Sequence, residues 1–253
     1  MNLQMDIDKA QGFKSKSQIT RIVSESWANS NLYCPACASD ELEQAPNNTK
    51  AFDFVCPQCV ARFQLKSSRR WDGRRVPDAG YHAMMDAILT DRNPNLVLLH
   101  YDDDWAVRNL LIVPQFFLSE SAIEKRKPLA ATARRAGWIG CNILLSSIPV
   151  AGKIAVIVDG QEIERDEVRS KYVRAKPFAS IGVAVRGWTV DVFKIVETLP
   201  SKFSLRDVYS YEDHFADLYP RNKNVRPKIR QQLQVLRDMG MIRFLGGGVY
   251  ERI

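Results

Sequence analysis

Two CxxC pairs constrain this chain more than any other feature. Cys34-Pro-Ala-Cys37 is separated from Cys56-Pro-Gln-Cys59 by 18 residues, Ala38 to Val55. A CxxC turn presents two thiolates on a tight knuckle, and two such knuckles supply the four soft ligands of tetrahedral zinc. In a reducing compartment the pairing points to a metal rather than to disulfides. The fifth cysteine, Cys141, stands alone. Four protein ligands leave no coordination position for water or substrate. The zinc expected on Cys34, Cys37, Cys56 and Cys59 therefore holds shape, and any chemistry lies elsewhere.

The 253 residues exceed the usual domain size of about 100 to 150, so two domains are expected. With 45% hydrophobic and 26% charged residues the composition excludes global disorder. No run reaches the length of a membrane span, and MNLQMDIDKAQGFKSKSQ lacks the apolar region of a signal peptide. A cytoplasmic location is the resulting expectation. A formal net charge of +7 favours a polyanionic partner, because neutralising phosphates releases counterions.

Periodicity outlines the elements. Ser17 to Ser30 places Ile19, Ile22, Val23 and Trp27 on one helical face. ARFQLKSS, after the second CxxC, alternates as a strand does, and Tyr81 to Leu89 reads as a helix. Asn95 to Tyr101, Asn109 to Val113 and Lys153 to Val158 read as buried strands of a mixed α/β sheet, the first two joined by the acidic turn DDDWAVR. The Gly- and Arg-rich ARRAGWIGCN is expected to be a loop. Trp188 to Thr198 forms a helix that stops before Pro200, and Ser204 caps a helix over LRDVYSYEDHFADLY, which ends before Pro220. A third helix runs from Arg226 to Met239, closed by Gly240, and MIRFLGGGVYERI forms a hairpin. Three helices and a hairpin give a winged helix-turn-helix. The expected domains are 1–183 and 184–253.

The second knuckle lies within a polar constellation. Alternation puts Gln64 and Lys66 on one strand face, with Phe63 and Leu65 on the other, and Asp53 lies between two phenylalanines that face away from it. Pairing the two strands brings Asp53, Gln64 and Lys66 to one spot. The trio resembles the active site of the PD-(D/E)XK nuclease superfamily, an acid on one strand and acid-x-Lys on the next. Magnesium takes hard oxygen ligands, here the Asp53 carboxylate, the Gln64 side-chain oxygen and the Leu65 carbonyl. Lys66 would orient the attacking water and balance phosphorane charge. Gln64 departs from the usual acid, which keeps an oxygen ligand but removes a negative charge. Glu25, on the preceding helix, is a candidate for a further carboxylate, set against a plain surface glutamate.

Several segments together resemble the DpnI-type family of methyl-directed (Type IIM) restriction endonucleases. They are YCPAC, DFVCPQC, FQLKS, DAGYHAMM, NPN, RKPLAATARRAGWIGCNI, RGWT and IRQQLQVLRDMGMI, and they span most of the chain. The resemblance implies a zinc-bearing PD-(D/E)XK domain of α/β (α+β) class followed by a C-terminal winged helix. It implies hydrolysis of double-stranded DNA at GATC sites carrying N6-methyladenine, with structural Zn²⁺ and catalytic Mg²⁺. By position, Asp53, Gln64 and Lys66 match the family's acid, acid and lysine, with glutamine in the second place. Each of the two domains would contact methylated DNA, and a monomer is expected.

Candidate DNA contacts lie in both halves. The third C-terminal helix carries Arg226, Lys228 and Arg230 for phosphates, preceded by Arg221 and Lys223, with Gln231 and Gln232 placed for adenine edges. The wing, Gly246 to Gly248 with Tyr250 and Arg252, is a candidate for an adjacent phosphate. Arg134, Arg135 and Trp138 combine two cations and an indole on one loop, suited to phosphates and an adenine methyl group; the alternative is that Trp138 plugs the core. Against the endonuclease stands a second reading, a methylated-DNA-binding or transcription-regulatory protein whose nuclease site Gln64 weakens or disables. RNA binding by the zinc ribbon has little support, since no aromatic-rich platform is visible.

Overall fold

The computed structural model describes residues 1–46, 49, 51–70 and 72–253. In chain order the helices are α1 (Lys16–Asn31), α2 (Tyr81–Leu89), α3 (Arg165–Ala175), α4 (Val183–Thr198), α5 (Leu205–Tyr209), α6 (Glu212–Leu218) and α7 (Val225–Asp238). The strands run β1 (Glu43–Gln44), β2 (Phe54–Val55), β3 (Arg62–Ser68), β4 (Arg75–Gly80), β5 (Asn95–Tyr101), β6 (Val107–Val113) and β7 (Ile123–Lys125). They continue as β8 (Gly140–Leu144), β9 (Ile154–Val158), β10 (Gln161–Glu162), β11 (Lys202–Ser204), β12 (Ile242–Gly246) and β13 (Val249–Arg252).

Two compact units emerge, each discontinuous in sequence. The first gathers 1–76, 92–116 and 151–176; the second gathers 77–91, 117–150 and 177–253.

The first unit is built on a seven-stranded sheet in the order β1-β2-β3-β5-β6-β9-β10. Only β3 and β5 run parallel, so the sheet is mixed, as the apolar runs suggested. Strand β5 is buried at nearly every position, which explains why its sequence is continuously apolar rather than alternating. Asp159 and Gly160, with φ of 48° and 79°, turn β9 into β10. Such a two-residue hairpin turn needs positive φ at both positions, which Asp and Gly tolerate. Helix α1 buries Val23, Trp27 and Ala28, with the Trp27 indole N–H donating to the Asn2 carbonyl at 2.6 Å. Its Ser24 hydroxyl meets that of Ser67 on β3 at 2.9 Å, which fixes the helix over the strand.

The second unit contains two three-stranded sheets, β4-β8-β7 and β11-β13-β12. Gly140, Cys141 and Asn142, expected within a loop, belong to β8: Lys125 pairs with Cys141, and the Arg126 N–H donates to the Gly140 carbonyl at 3.0 Å. Partner pairing there overrides the turn-like composition. Helix α4 begins at Val183, five residues ahead of the expected Trp188. The single helix expected from Leu205 is two, α5 and α6. Ser210 donates its hydroxyl back to the Asp207 carbonyl at 2.6 Å, and Tyr211 leaves helical geometry before α6 starts on Glu212 and Asp213. Ser204 caps α5 through a full capping box with Asp207. Strand β11, which pairs with β13, was not foreseen.

Helix α7 buries Val225, Ile229, Leu233 and Leu236, a 3.6-residue stripe facing the unit's core. Beneath it, Asp191 of α4 is buried, accepting hydrogen bonds from Ser121 at 2.7 Å and from the Tyr219 hydroxyl. Burial raises the Asp191 carboxyl above its ordinary range despite those two donors. Among the described residues no helix is long and apolar enough to cross a membrane.

Candidate functional site

The four expected zinc ligands converge. Their sulfurs all lie within 4.8 Å of one another, with Cys34 and Cys59 at 3.6 Å and Cys37 and Cys56 at 3.5 Å. Zinc held tetrahedrally at about 2.3 Å sets its sulfurs about 3.8 Å apart, so the cluster fits the ion closely. A disulfide would need about 2.05 Å. The Cys59 N–H points at the Cys56 sulfur at 3.5 Å, and the Cys56 N–H donates to the Ala61 carbonyl at 2.9 Å. This turn places Val60 at a φ of 53°, a conformation a β-branched residue rarely adopts. Burial acts to raise the Cys56 thiol, but the backbone N–H groups of Cys59 and Gln58 outweigh it and bring it down to about 7.

Helix α3 clasps the first knuckle. Arg169 donates to the Ser39 carbonyl at 3.0 Å and to the Cys34 carbonyl at 3.4 Å, while Arg165 and Arg169 both pair with Asp40. The same two guanidinium groups lie over the Tyr33 ring at 4.8 and 5.3 Å. No spacing signal announces this clasp, since its partners stand more than 120 residues apart.

From the second knuckle the chain runs directly into the Asp53, Gln64 and Lys66 hairpin. Strands β2 and β3 pair with Phe54 opposite Phe63 and Val55 opposite Arg62. The Asp53 N–H extends the ladder by donating to the Phe63 carbonyl at 2.8 Å. This bond is shifted by one residue from the register of β2 and β3, and it sets Asp53 beside Phe63, the residue before Gln64. One Asp53 carboxylate oxygen accepts the Leu65 N–H at 2.8 Å, a bond that pins the carboxylate against the backbone between Gln64 and Lys66. Phe63 is fully buried, whereas Asp53, Gln64 and Lys66 are half-buried. Leu65 is also half-buried rather than fully turned to the core. The donor set of carboxylate, amide oxygen and backbone carbonyl consists of hard oxygens, the chemistry that Mg²⁺ requires.

Helix α1 brings Glu25 to this neighbourhood. Its carboxylate accepts from Arg21 at 2.7 Å and from the Gln44 side-chain amide at 3.5 Å. Gln44 is the β1 partner of Phe54, and the next residue, Ala45, donates its N–H to the Asp53 carbonyl at 2.8 Å.

In the second unit, Trp138 follows a short turn that exposes Arg134 and Arg135. The Arg135 guanidinium sits 4.7 Å from the indole centroid. The six-membered end of the ring approaches Gly140 so closely that a Cβ there would come within 2.9 Å of it. Glycine at 140 therefore leaves the room that the indole fills. Trp138 is half-buried, and neither a core plug nor a solvated side chain.

On α7, Arg226, Arg230 and Gln231 are exposed and Lys228 is half-buried. Arg226 pairs with Glu212 at 2.7 Å and lies over the Tyr209 ring, and Lys228 donates to Gln231 at 2.9 Å. Gln232 corrects the sequence reading. It is wholly buried and accepts a hydrogen bond from Thr189 at 2.7 Å, so it faces α4 and cannot meet a base edge. Gln234 was missed; it is exposed one turn on from Arg230 and Gln231, and helical spacing alone could have found it.

The wing also differs from expectation. Arg252 donates to the carbonyls of Val196, Glu197 and Leu199, closing the C-terminus of α4 instead of reaching outward. Tyr250 stacks on Phe203 and against Phe244. Gly246, Gly247 and Gly248 all have positive φ, so these glycines serve the turn.

Two protein-family models match the chain. One, described as the Dam-replacing family (DpnI), matches residues 1–180. The other, described as a Dam-replacing HTH domain, matches residues 184–252.

Proposed function

This chain belongs to the DpnI, or Dam-replacing, family, and on that premise we propose that it is a methylation-dependent restriction endonuclease cutting duplex DNA at GATC sites that carry N6-methyladenine. The family supports a restriction endonuclease in general terms, and the HTH match supports binding to DNA. The observation that carries the catalytic reading is the Asp53 carboxylate, held at 2.8 Å from the Leu65 N–H, against the backbone between Gln64 and Lys66 in a PD-(D/E)XK-like hairpin.

Asp53, the Gln64 amide oxygen and the Leu65 carbonyl would hold Mg²⁺, which when bound polarises the scissile phosphate. Lys66 would orient the attacking water and balance the charge gathered on the phosphate oxygens as the bridging P–O bond breaks. Zinc on Cys34, Cys37, Cys56 and Cys59 would brace the strand ends on which Asp53 and Gln64 sit. Trp138 with Arg134 and Arg135 would read the adenine methyl group beside neighbouring phosphates. Arg226, Lys228, Arg230 and Gln231 would bind a duplex through the winged helix, with the domain boundary near residue 183. The enzyme would act as a monomer in the cytoplasm.

The neutral Gln64 supports a second reading, a methylated-DNA-binding or regulatory protein with a weakened nuclease site. Incubation with matched methylated and unmethylated GATC duplexes plus Mg²⁺ separates the two. Cleavage confined to methylated duplexes is expected. Tight binding without cutting, with cutting restored by Gln64→Glu, would favour the regulatory protein.

A further inference from the structure

We propose that Glu25 of helix α1 supplies the second carboxylate of the catalytic metal site, replacing the charge that Gln64 lacks. The inference rests on the nuclease reading of the Asp53 hairpin and deepens it.

Two independent contacts fix the position of Glu25. Its neighbour Ser24 is hydrogen-bonded at 2.9 Å to Ser67, the residue after Lys66. Its Oε2 receives the Gln44 side-chain amide at 3.5 Å, and Gln44 is tied to the Asp53 strand through Phe54 and through Ala45. Its Oε1 receives the Arg21 guanidinium at 2.7 Å. Strand β1 beside Asp53 and the residue after Lys66 on β3 thus each locate Glu25 next to the hairpin. The Glu25 side chain is only 17% exposed, unlike a solvated surface glutamate.

Arg21 occupies the place of a counter-cation. It bonds Glu25 at 2.7 Å, and the Asp53 charge acts on it in the same sense at longer range. Its own side chain is 68% exposed, and a pair this open to water contributes little and separates easily. A divalent ion can therefore displace the guanidinium without disturbing the fold.

Charge decides why Glu25 is needed. A site of Asp53, Gln64 and a backbone carbonyl offers one negative charge to a divalent ion, and oxygen-ligand sites gain affinity with ligand charge. Glu25 restores two. The strand position usually filled by an acid is then covered from the helix above it.

The test measures Mn²⁺ binding to the zinc-loaded full-length protein by electron paramagnetic resonance, with zinc content and circular dichroism as folding controls. Glu25→Gln should weaken Mn²⁺ by about tenfold or more, as should Asp53→Asn. Gln64→Glu in the Glu25→Gln background should recover most of that loss. Arg21→Ala should tighten Mn²⁺ by severalfold, a gain that misfolding cannot produce. Unchanged Mn²⁺ affinity in Glu25→Gln, alongside a clear loss in Asp53→Asn, would overturn the role of Glu25 alone. Unchanged affinity in both variants would overturn this inference together with the nuclease reading beneath it.

Discussion

In the hairpin, the carboxylate assigned to chemistry is fixed by backbone hydrogen bonds; on α7, the groups assigned to DNA project from an exposed stripe. Asp53 is bonded through its own N–H, its carbonyl and its carboxylate, and the knuckle beside it offers four converging sulfurs. Arg230, Gln231 and Gln234 share only the helix that carries them, anchored by Ile229, Leu233 and Leu236 on its opposite face. The contrast fits the roles proposed for the two regions. Hydrolysis requires its groups within fractions of an ångström, which rigid pairing supplies. Phosphates along a duplex can be met by long side chains that adjust, because neutralisation depends mainly on charge.

The largest expected effect tests the rigid half. Structural zinc binding amounts to about 10 kcal/mol or more of folding free energy in small sites. Cys56→Ser is therefore expected to abolish zinc retention and methyl-dependent cutting, and to lower the melting temperature by roughly 10 °C or more. Zinc analysis, thermal unfolding and plasmid cleavage check this together. A zinc-free variant that keeps its melting temperature and activity would break the contrast, because the hairpin would then hold without its brace.

Next in size is Lys66→Ala. Removing a group that balances transition-state charge costs about 3 to 4 kcal/mol, or roughly 100- to 1,000-fold in rate. Single-turnover cleavage of a methylated duplex should fall by that factor, while equilibrium binding of the same duplex should shift less than about threefold. A parallel loss of binding would mean that Lys66 belongs to the adjustable half of the comparison.

The two halves also differ in how far sequence reveals them. The knuckles were legible because zinc geometry fixes both residue type and spacing, and the hairpin because strand alternation assigns Gln64 and Lys66 to one face. The clasp by Arg165 and Arg169 was not legible, since side chains meeting across such a separation leave no local period. On α7 the apolar stripe was clear, yet Gln232 was misplaced. Its amide lies between Ile229 and Leu233 in the buried stripe, and residue type suggested a base contact where helical phase dictates burial. Arg252 failed for a related reason: a terminal cation reads as a phosphate ligand until the open carbonyls of α4 are seen beside it.

That misplacement yields a prediction of intermediate size. Gln232→Ala removes a buried acceptor of the Thr189 hydroxyl and leaves that hydroxyl only the Val185 carbonyl at 3.0 Å, at a cost of about 1 kcal/mol. The melting temperature should fall by several degrees, while relative affinity for methylated and unmethylated duplexes at fixed salt stays the same. A changed preference with unchanged stability would return Gln232 to the reading surface.

The smallest effect belongs to Arg230→Ala. A side chain that only neutralises phosphate adds affinity of the same size to every sequence, so its loss should weaken all duplexes alike. The slope of log affinity against log salt should decrease by about one, and binding at low salt should suffer most. Cleavage of a saturated methylated duplex should remain at the wild-type rate, because no backbone bond of the hairpin depends on Arg230. If the loss fell on one sequence and left the salt slope untouched, Arg230 would be reading a base edge. The exposed stripe of α7 would then carry geometric demands of its own, and the contrast with the hairpin would narrow to a difference of degree.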